Sequence, residues 1–342
     1  MNKKLFLIIR WVCVFTAMTN LCAYVFAEEN EETIEYESGF YYTVQEGDTL
    51  WDLSARFSDS PWQWPDLWNE NRQIPNPHWI YPGERIRLLQ DIEIEKIVLP
   101  VAEEIVLQKE EPVKEPPYYF YSAIDSIGFI RKKPVPSHGS IIKAKGQKTK
   151  ISTGDIVFIE PIGDMPLTPG NKYTVYRTYG PIKDKKTKKL IGTQYYLTGV
   201  VEITKKEPQF AVAKVLKSFR TIEINNLLLP YQQRSPKITL VESLRGLDGR
   251  ILKGEESQVI IGDGTVVFID KGSENGIKPG QGYSIYYQET HLGSKPKKAM
   301  PLDTFVFGRI LVLHTEETTS TVLVTKAEKA IQSGDKIRSP LP

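Results

Sequence analysis

Hydrophobic and polar positions between Phe40 and Leu88 follow a strand–helix–helix–strand pattern. Aromatic and β-branched residues at 41–44 favour a short strand, and the polar residues at 45–48 form the turn that ends it. Thr49 with an acidic residue three positions later has the form of a helix capping box. The helix that follows is amphipathic, because apolar side chains recur on one helical face: Leu50, Leu53 and Phe57.

Prolines set the boundaries of the second half of this pattern. Pro65 is compatible with the first turn of a helix, so a second helix is expected to begin there, with Leu67 and Trp68 facing inward. This helix is expected to end near Asn71. A proline-rich loop follows, and Ile86 then lies between two arginines in the alternation of a half-exposed strand.

The stretch at residues 40–90 resembles the LysM domain, a small βααβ module that binds N-acetylglucosamine polymers such as peptidoglycan and chitin. The family's first strand, loop and helix are matched by YTVQEGDTLWDLSARF, its second helix by LWNENR, and its IxPGQxLxI ending by IYPGERIRL. Glu84 stands where glutamine is commoner in the family. The resemblance implies an α+β domain whose partner is peptidoglycan or another N-acetylglucosamine polymer.

The resemblance also implies a shallow glycan-binding groove between the loop after the first strand and the loop before the last. An N-acetyl group offers one amide donor, one acceptor and a methyl group, which backbone groups and an apolar wall can satisfy together. Carried over by position, the lining residues are Gly47, Asp48, Thr49 and Leu50 on one side, and Asn76, Trp79, Ile80 and Tyr81 on the other.

A packing role is the alternative for several of these residues. Gly47 can serve only the turn, and the tryptophans of so small a domain can belong to its core. We favour core packing for Trp64 and Trp68. For Trp79, which lies in a loop, a glycan platform and a packing role both remain open.

Residues 1–27 have the pattern of an export signal. Lys3 and Lys4 precede an apolar run, and the segment ends with small residues suited to signal peptidase, so we expect cleavage after Ala27. The mature protein is then expected in the periplasm or elsewhere in the cell envelope. Arg10 interrupts the apolar run, and an uncleaved N-terminal membrane anchor is the alternative. Residues 28–39 are expected to form an acidic linker.

The remainder of the chain carries an internal repeat. Residues 154–177 align without gaps with residues 264–287, at an offset of 110, and the alignment continues downstream at an offset of 109. Strand-forming runs separated by turns such as Pro169-Gly170 and Pro279-Gly280 indicate mainly-β structure. We therefore expect a multidomain protein in which two small β-barrels or sandwiches follow the βααβ domain. The expected segments are a Pro/Glu/Lys-rich linker at 91–117, a first β repeat at 118–230 and a second at 231–342.

Composition narrows both the cysteine chemistry and the classes of partner expected of the mature chain. Both cysteines, Cys13 and Cys22, lie in the export signal, so neither a disulfide nor a nucleophilic thiol is expected in the mature chain. Removal of residues 1–27 leaves 41 basic against 42 acidic residues, a formal net charge of −1. This balance gives no reason to expect nucleic acid as a partner.

Catalytic and cofactor motifs are not recognisable. The four histidines lack the spacing of a zinc site. Residues 137–140 resemble the SHGC nucleophile motif of L,D-transpeptidases, but Ser140 replaces the essential cysteine. The acidic residues show no recognisable glycosidase pair, although pairing in space is invisible in a sequence. We therefore expect a non-enzyme without cofactor or metal.

The function indicated by the sequence is non-catalytic binding of peptidoglycan, which would tether a β-rich scaffold in the envelope. Two alternatives stay open. In the first, the protein is a structural component of a larger envelope assembly and docks a protein partner through the β repeats. In the second, it is a cell-wall hydrolase, which requires a catalytic carboxylate pair that no motif reveals.

Overall fold

The computed structural model describes residues 38–58, 60–89, 116–184, 187–256, 260–292 and 299–339. The expected export signal, almost all of the linker at 28–39 and most of the linker at 91–117 lie outside these residues. Within the described segments, no helix is both long enough and apolar enough to cross a membrane.

The N-terminal part of the described chain has the expected βααβ order. Strand β1 (Gly39–Thr43) pairs antiparallel with β2 (Arg85–Arg87), and two helices lie between them in sequence, α1 (Leu50–Phe57) and α2 (Trp64–Asn69). A short 3-10 turn, Pro61–Gln63, precedes α2. The βααβ prediction is confirmed, and we call residues 39–89 the βααβ domain.

Local contacts explain why these elements form. The Thr49 side chain accepts a hydrogen bond from the backbone N–H of Asp52 at 3.1 Å and so caps α1. Helix α2 is attached to β2 by the fully buried Asn71. Its amide nitrogen donates to the carbonyls of Leu67 and Arg87, and its amide oxygen accepts from the N–H of Arg87, each at 2.7 Å. The core includes the apolar face expected for α1: Leu50, Leu53 and Phe57.

Two further strands join the sheet of the βααβ domain. Strand β3 (Tyr118–Phe120) pairs with β1, and β11 (Lys237–Thr239) pairs with β3, so the sheet order is β11-β3-β1-β2. The repeat boundaries expected from the sequence place these three-residue segments in the first and second β repeats. The free edge of β1 recruits β3, where the rings of Phe40 and Tyr119 meet edge to face at 4.7 Å. The βααβ domain is therefore connected by backbone pairing to chain beyond the linker.

The first β repeat forms a barrel. Six antiparallel pairings close a ring, and one additional strand, β4 (Phe129–Arg131), pairs with the outside edge of one ring strand at residues 193–195. The ring order is β5 (Gly139–Ala144), β6 (Ile156–Pro161), β9 (Ala211–Ser218), β8 (Leu190–Lys206), β7 (Lys172–Lys183) and β10 (Leu227–Pro230).

The second β repeat forms a closed barrel with the same strand order. Its ring is β12 (Asp248–Gly254), β13 (Val266–Ile269), β16 (Ser320–Ala327), β15 (Ala299–Thr315), β14 (Gly282–Leu292) and β17 (Lys336–Arg338). The bulge between Ile141 and Lys143 in β5 recurs between Ile251 and Lys253 in β12, at the offset found in the sequence. Of the two expected architectures, barrel and sandwich, the structure has barrels.

Strand β4 lies between the two barrels. It pairs with β8 of the first barrel, and two hydroxyl groups of the second barrel donate to this segment. Thr319 Oγ1 donates to the carbonyl of Ile130 in β4 at 2.6 Å, and Thr321 Oγ1 donates to that of Gly128, just before β4, at 2.8 Å. The buried carboxylate of Glu255, from the second barrel, accepts from the Gly128 N–H at 2.6 Å. The barrels thus share a polar, hydrogen-bonded interface.

The stability of this interface is expected to depend on pH through Glu255. Burial raises the pKa of Glu255 from its ordinary value of 4.5 to about 7, and the nearby Arg220 opposes this shift. Between these two values the folded protein holds a proton that the unfolded chain has lost. The stabilising contribution of Glu255 to the free energy of unfolding is therefore fully present below about pH 4.5, and it is lost as the pH rises through about 7.

Urea unfolding followed by far-UV circular dichroism between about pH 5 and pH 8 measures this dependence. We expect the Glu255→Gln variant to have a flatter profile, because an amide does not titrate. A variant that loses stability with pH as steeply as the wild type would show that another group is responsible.

Candidate functional site

A cleft of about 300 Å³ opens between the loop after β1 and the loop before β2. The glycan-binding groove expected from the sequence lies between the same two loops. The residues that line the cleft are Asp48, Thr49, Leu50, Trp51, Trp64, Pro77, His78 and Ile80.

The first wall of the cleft is a turn held closed by Asp48. One carboxylate oxygen of Asp48 accepts from the Tyr42 hydroxyl at 2.9 Å and from the Gln45 N–H at 2.7 Å. Burial, with the neighbouring Asp48 carboxylate, raises the pKa of Tyr42 to about 12, so the phenol remains a donor at neutral pH. Gly47 has a φ of +87°, which favours glycine in this turn. The turn therefore presents Thr49 and the start of α1 in a fixed position.

The second wall is a loop ordered by its own hydrogen bonds. The side-chain oxygen of Asn76 accepts from the His78 N–H at 3.0 Å, and its carbonyl accepts from the Trp79 N–H at 3.0 Å. A carboxylate oxygen of Glu84 accepts from the Tyr81 N–H at 3.0 Å, and this contact organises the Pro-Gly turn.

The two walls are connected through Val44. Its N–H donates to the carbonyl of Glu84 at 2.8 Å, and its carbonyl accepts from the N–H of Gly83 at 2.9 Å. Because both loops are fixed to the same residue, the width of the cleft is largely set before any ligand binds.

Four of the eight residues proposed from the sequence line the cleft: Asp48, Thr49, Leu50 and Ile80. The other four support or flank it, with Gly47 and Asn76 in the turns and Trp79 and Tyr81 at the surface. Trp79 is 65% exposed and Tyr81 58% exposed, so neither ring is core. Trp64 and Trp68, for which packing was favoured, do pack against the core. The glycan-binding role predicted for the eight residues is not tested by this geometry, which favours the four that line the cleft over Trp79 and the other three.

Sequence reasoning missed four lining residues: Trp51, Trp64, Pro77 and His78. Trp51 gave a usable signal, because it lies in the first turn of α1 but outside the apolar face formed by its neighbours. Its ring meets that of Trp62 edge to face at 4.7 Å, and the two residues are 40% and 75% exposed. The folded chain keeps this aromatic pair at the surface, beside the cleft.

The segment that resembles a transpeptidase motif has a structural role. Ser140 lies within β5 and pairs with Glu160 of β6, and the Ser137 hydroxyl donates to the Gly139 carbonyl at 2.9 Å. Two acids that are adjacent in the sequence, Glu255 and Glu256, both contact Arg220 at the interface of the barrels. In the described segments no cluster of three or more His, Cys, Asp or Glu side chains is arranged to hold a metal ion.

Comparison with known proteins identifies the segment that carries the cleft. Residues 42–88 match the LysM domain. A protein of Bacillus subtilis (strain 168), described as the uncharacterized protein YqbP, is 39% identical over 59 residues, which cover 14% of this chain and 27% of the relative. The chain thus spans about a quarter of the length of this relative.

LysM domains are binding modules, not catalytic ones, for N-acetylglucosamine-containing glycans such as peptidoglycan, and they are typical of extracellular and cell-envelope proteins. The described fold agrees with this match, since the matched residues form the strand–helix–helix–strand unit that carries the cleft. The chain therefore contains a LysM domain at residues 42–88, followed by a mainly-β body of two six-stranded barrels.

Proposed function

We propose that this protein binds the N-acetylglucosamine-containing glycan of peptidoglycan in the cleft of its LysM domain and thereby holds the two barrels in the cell envelope. The observation that carries this proposal is the cleft itself, which lies between two loops fixed to Val44 within a segment that matches the LysM domain. No catalytic step is part of the proposal.

The cleft offers the groups that an N-acetylated sugar requires. Leu50 and Ile80 supply apolar surface for the acetyl methyl group, and the rings of Trp51 and Trp64 supply flat surfaces for the apolar face of a pyranose. The backbone of both loops lies beside these side chains and provides donors and acceptors for the amide. Burial of the acetamido group would then distinguish this sugar from an unmodified hexose.

Export to the envelope is the second part of the proposal. It is supported by the pattern at residues 1–27, with two lysines ahead of an apolar run and a small residue, Ala27, at the expected cleavage position. A cleft of about 300 Å³ lies at the small end of ligand sites and makes few contacts, so one LysM domain is expected to bind modestly. Retention at the wall would then benefit from more than one contact.

Substitution of Trp51 tests whether the glycan binds in the cleft rather than on the exposed aromatic side chains around it. Trp51→Ala removes one aromatic ring from the lining of the cleft, and we expect peptidoglycan binding to weaken about tenfold, or about 1.4 kcal/mol. The measurement is cosedimentation of the chain from residue 28 onward with purified peptidoglycan over a range of glycan concentrations.

Trp79→Ala is the matched control, because Trp79 is more exposed than Trp51 but does not line the cleft. We expect it to bind within about twofold of the wild type. The proposal fails if both variants bind as the wild type does, or if a chain without residues 40–90 sediments equally well. Every tryptophan beyond Trp11 lies between Trp51 and Trp79, so tryptophan fluorescence checks the folding of the LysM domain in each variant.

A structural role in a larger envelope assembly is the second candidate. It is favoured by a strand edge on the second barrel that has no paired strand within the described residues. This candidate does not compete with glycan binding, because the edge lies outside the LysM domain.

A further inference from the structure

The first barrel shows how one of its surfaces becomes covered. Beyond the barrel, β8 pairs with β4 at residues 193–195, and the adjoining Tyr196 and Leu197 are only 7% and 3% exposed. Arg220 lies over the Tyr196 ring at 4.3 Å and contacts two carboxylates of the second barrel, Glu255 at 3.4 Å and Glu256 at 2.8 Å. This surface of the first barrel is thus covered by a paired strand, β4, and by carboxylates of the second barrel that contact Arg220.

The second barrel carries the equivalent surface. The register of the strands shows which residues correspond between the two barrels. In the first barrel Arg177 of β7 pairs with Tyr196 of β8. In the second barrel Tyr287 of β14 pairs with Phe305 of β15 at the equivalent position. The Glu328 N–H donates to the Phe307 carbonyl, as the N–H of Phe219 does to that of Thr198, so Lys329 corresponds to Arg220. Phe305, Val306 and Lys329 therefore occupy the positions of Tyr196, Leu197 and Arg220.

This second surface is not covered by the described residues. Phe305 is 49% exposed and Val306 37% exposed, although their counterparts are buried. In the described segments, the only partner of β15 from residue 299 to residue 306 is β14, so the opposite edge is open. Strand β11, which precedes β12 much as β4 precedes β5, pairs with β3 instead. We call Asp303–Val306 of β15, with Lys329, the open edge.

The open edge also carries cations that lack the carboxylates found in the first barrel. Lys329 lies 3.7 Å from the centre of the Tyr287 ring and 3.9 Å from that of Phe307, and it forms no ion pair with any described residue. Arg338 donates to the Thr304 hydroxyl at 2.9 Å, while its Nε and Nη2 are buried and have no hydrogen-bond partner in the described segments. A cover for this edge must bring both a strand and negative charge.

Charge excludes a head-to-tail arrangement of copies. In such an arrangement the open edge of one molecule would contact the first barrel of the next molecule. This contact would resemble the one that the first and second barrels make within a single chain. By the offset of 110, Lys145 stands where Glu255 stands in the second barrel, so Lys329 would face another lysine. The acidic residues of the second barrel are already engaged by Arg220.

A second copy of the chain, with its open edge antiparallel to that of the first, supplies both the strand and the negative charge. Its β15 provides the strand, and its exposed Asp303 provides the carboxylate. If Thr304 pairs with Thr304 of the second copy across the twofold axis, Asp303 lies opposite Phe305 of that copy. This is the face of β15 on which the Tyr287 ring stacks with Phe305 and on which Lys329 packs against Tyr287 and Phe307. The twofold axis creates the same contact twice. Pro301 has no N–H to donate, which confines the pairing to a few residues, as for β4.

We propose that a second copy of this chain covers the open edge, so that two molecules form a twofold dimer through antiparallel pairing of their β15 strands. The dimer would carry two LysM domains, and their simultaneous binding would prolong retention on a glycan network. The pairing does not involve the cleft, and it is tested without glycan, so its failure and a failure of glycan binding are distinguishable.

Sedimentation equilibrium of the chain from residue 28 onward, over about 1 to 100 µM, tests the dimer. We expect the wild type to reach the mass of two chains. Lys329→Glu and Asp303→Lys should each weaken the dimer at least tenfold, because each places like charges opposite one another across the axis. The double variant exchanges the two charges, and we expect it to restore the dimer.

Lys172→Glu is the matched control, since it reverses an exposed lysine on the first barrel, away from the open edge. It should dimerise as the wild type does. A wild type that remains a single chain across the range would overturn the proposal and leave the edge to a different protein. So would single variants that dimerise normally, or a double variant that stays as weak as either single variant.

Discussion

Arg220→Ala is expected to lower the free energy of unfolding by about 3–5 kcal/mol at about pH 8, where Glu255 is ionised. The substitution leaves the buried Glu255 carboxylate without its cation. It also removes the hydrogen bonds from the guanidinium to the carbonyls of Ser126 and Leu197, at 2.7 and 2.8 Å. Urea unfolding followed by far-UV circular dichroism measures the loss, because the barrels dominate the strand content.

The cost of Arg220→Ala is expected to shrink when Glu255 no longer carries charge. At about pH 5 the carboxyl holds its proton, and the loss should be smaller than at pH 8. The double variant Arg220→Ala/Glu255→Gln should recover part of the stability at pH 8, since the carboxylate that Arg220 neutralised is then absent. Equal losses at both pH values, with no recovery in the double variant, would mean that Arg220 acts through packing alone.

Gly280→Ala is expected to destabilise the protein by about 3 kcal/mol or more. Gly280 has a φ of +90°, and a Cβ atom built there would lie within 1.9 Å of the Thr239 carbonyl oxygen. Thr239 ends β11, the strand that joins the sheet of the LysM domain. The clash therefore pushes the second barrel away from this sheet, and thermal unfolding should show a lower midpoint.

Gly170→Ala is the matched control for this effect. Gly170 occupies the equivalent turn of the first barrel and has a φ of +84°, but a Cβ atom added there would meet no other atom within 4 Å. Its substitution should therefore cost only the strain of a left-handed backbone, about 1–2 kcal/mol. If the two variants are equally unstable, backbone conformation rather than the contact with β11 explains both losses.

The regular parts of this fold could be predicted because their signals are local. The cap at Thr49, the apolar face of α1 and Pro65 in the first turn of α2 each act within a few residues. The strand-forming runs on either side of the turn at Pro169-Gly170 became β6 and β7. The offset between the repeats also agrees with the one strand order that the two barrels share.

The contacts between domains could not be predicted because they depend on partners distant in sequence. Strands β3 and β11 have three residues each, and their pairing is decided by the free edge of β1. Arg220 lies 35 residues before Glu255 in the sequence, and only the packing of two barrels brings them together. No motif identifies such a pair, since its members lie on separate elements.

A cleft lies between the two loops where the sequence predicted a glycan-binding groove, and four of the eight residues proposed for the groove line it. Position in the family motif led to Asp48, Thr49, Leu50 and Ile80, which line it. The same reasoning passed over Trp51 and His78, whose side chains reach the cleft because α1 begins at its rim and Asn76 turns the loop back toward it. Side-chain direction in the first turn of a helix is thus a useful addition to motif position.

The central claim is that the LysM cleft binds an N-acetylglucosamine glycan, and NMR titration tests it most directly. Titration of the isotope-labelled chain from residue 28 onward with a short N-acetylglucosamine oligomer should shift the backbone amides of residues 48–51 and 78–80 and the indole N–H of Trp51. The shifts should weaken in the Trp51→Ala variant. Shifts confined to the two barrels, or none at saturating oligomer, would contradict this claim.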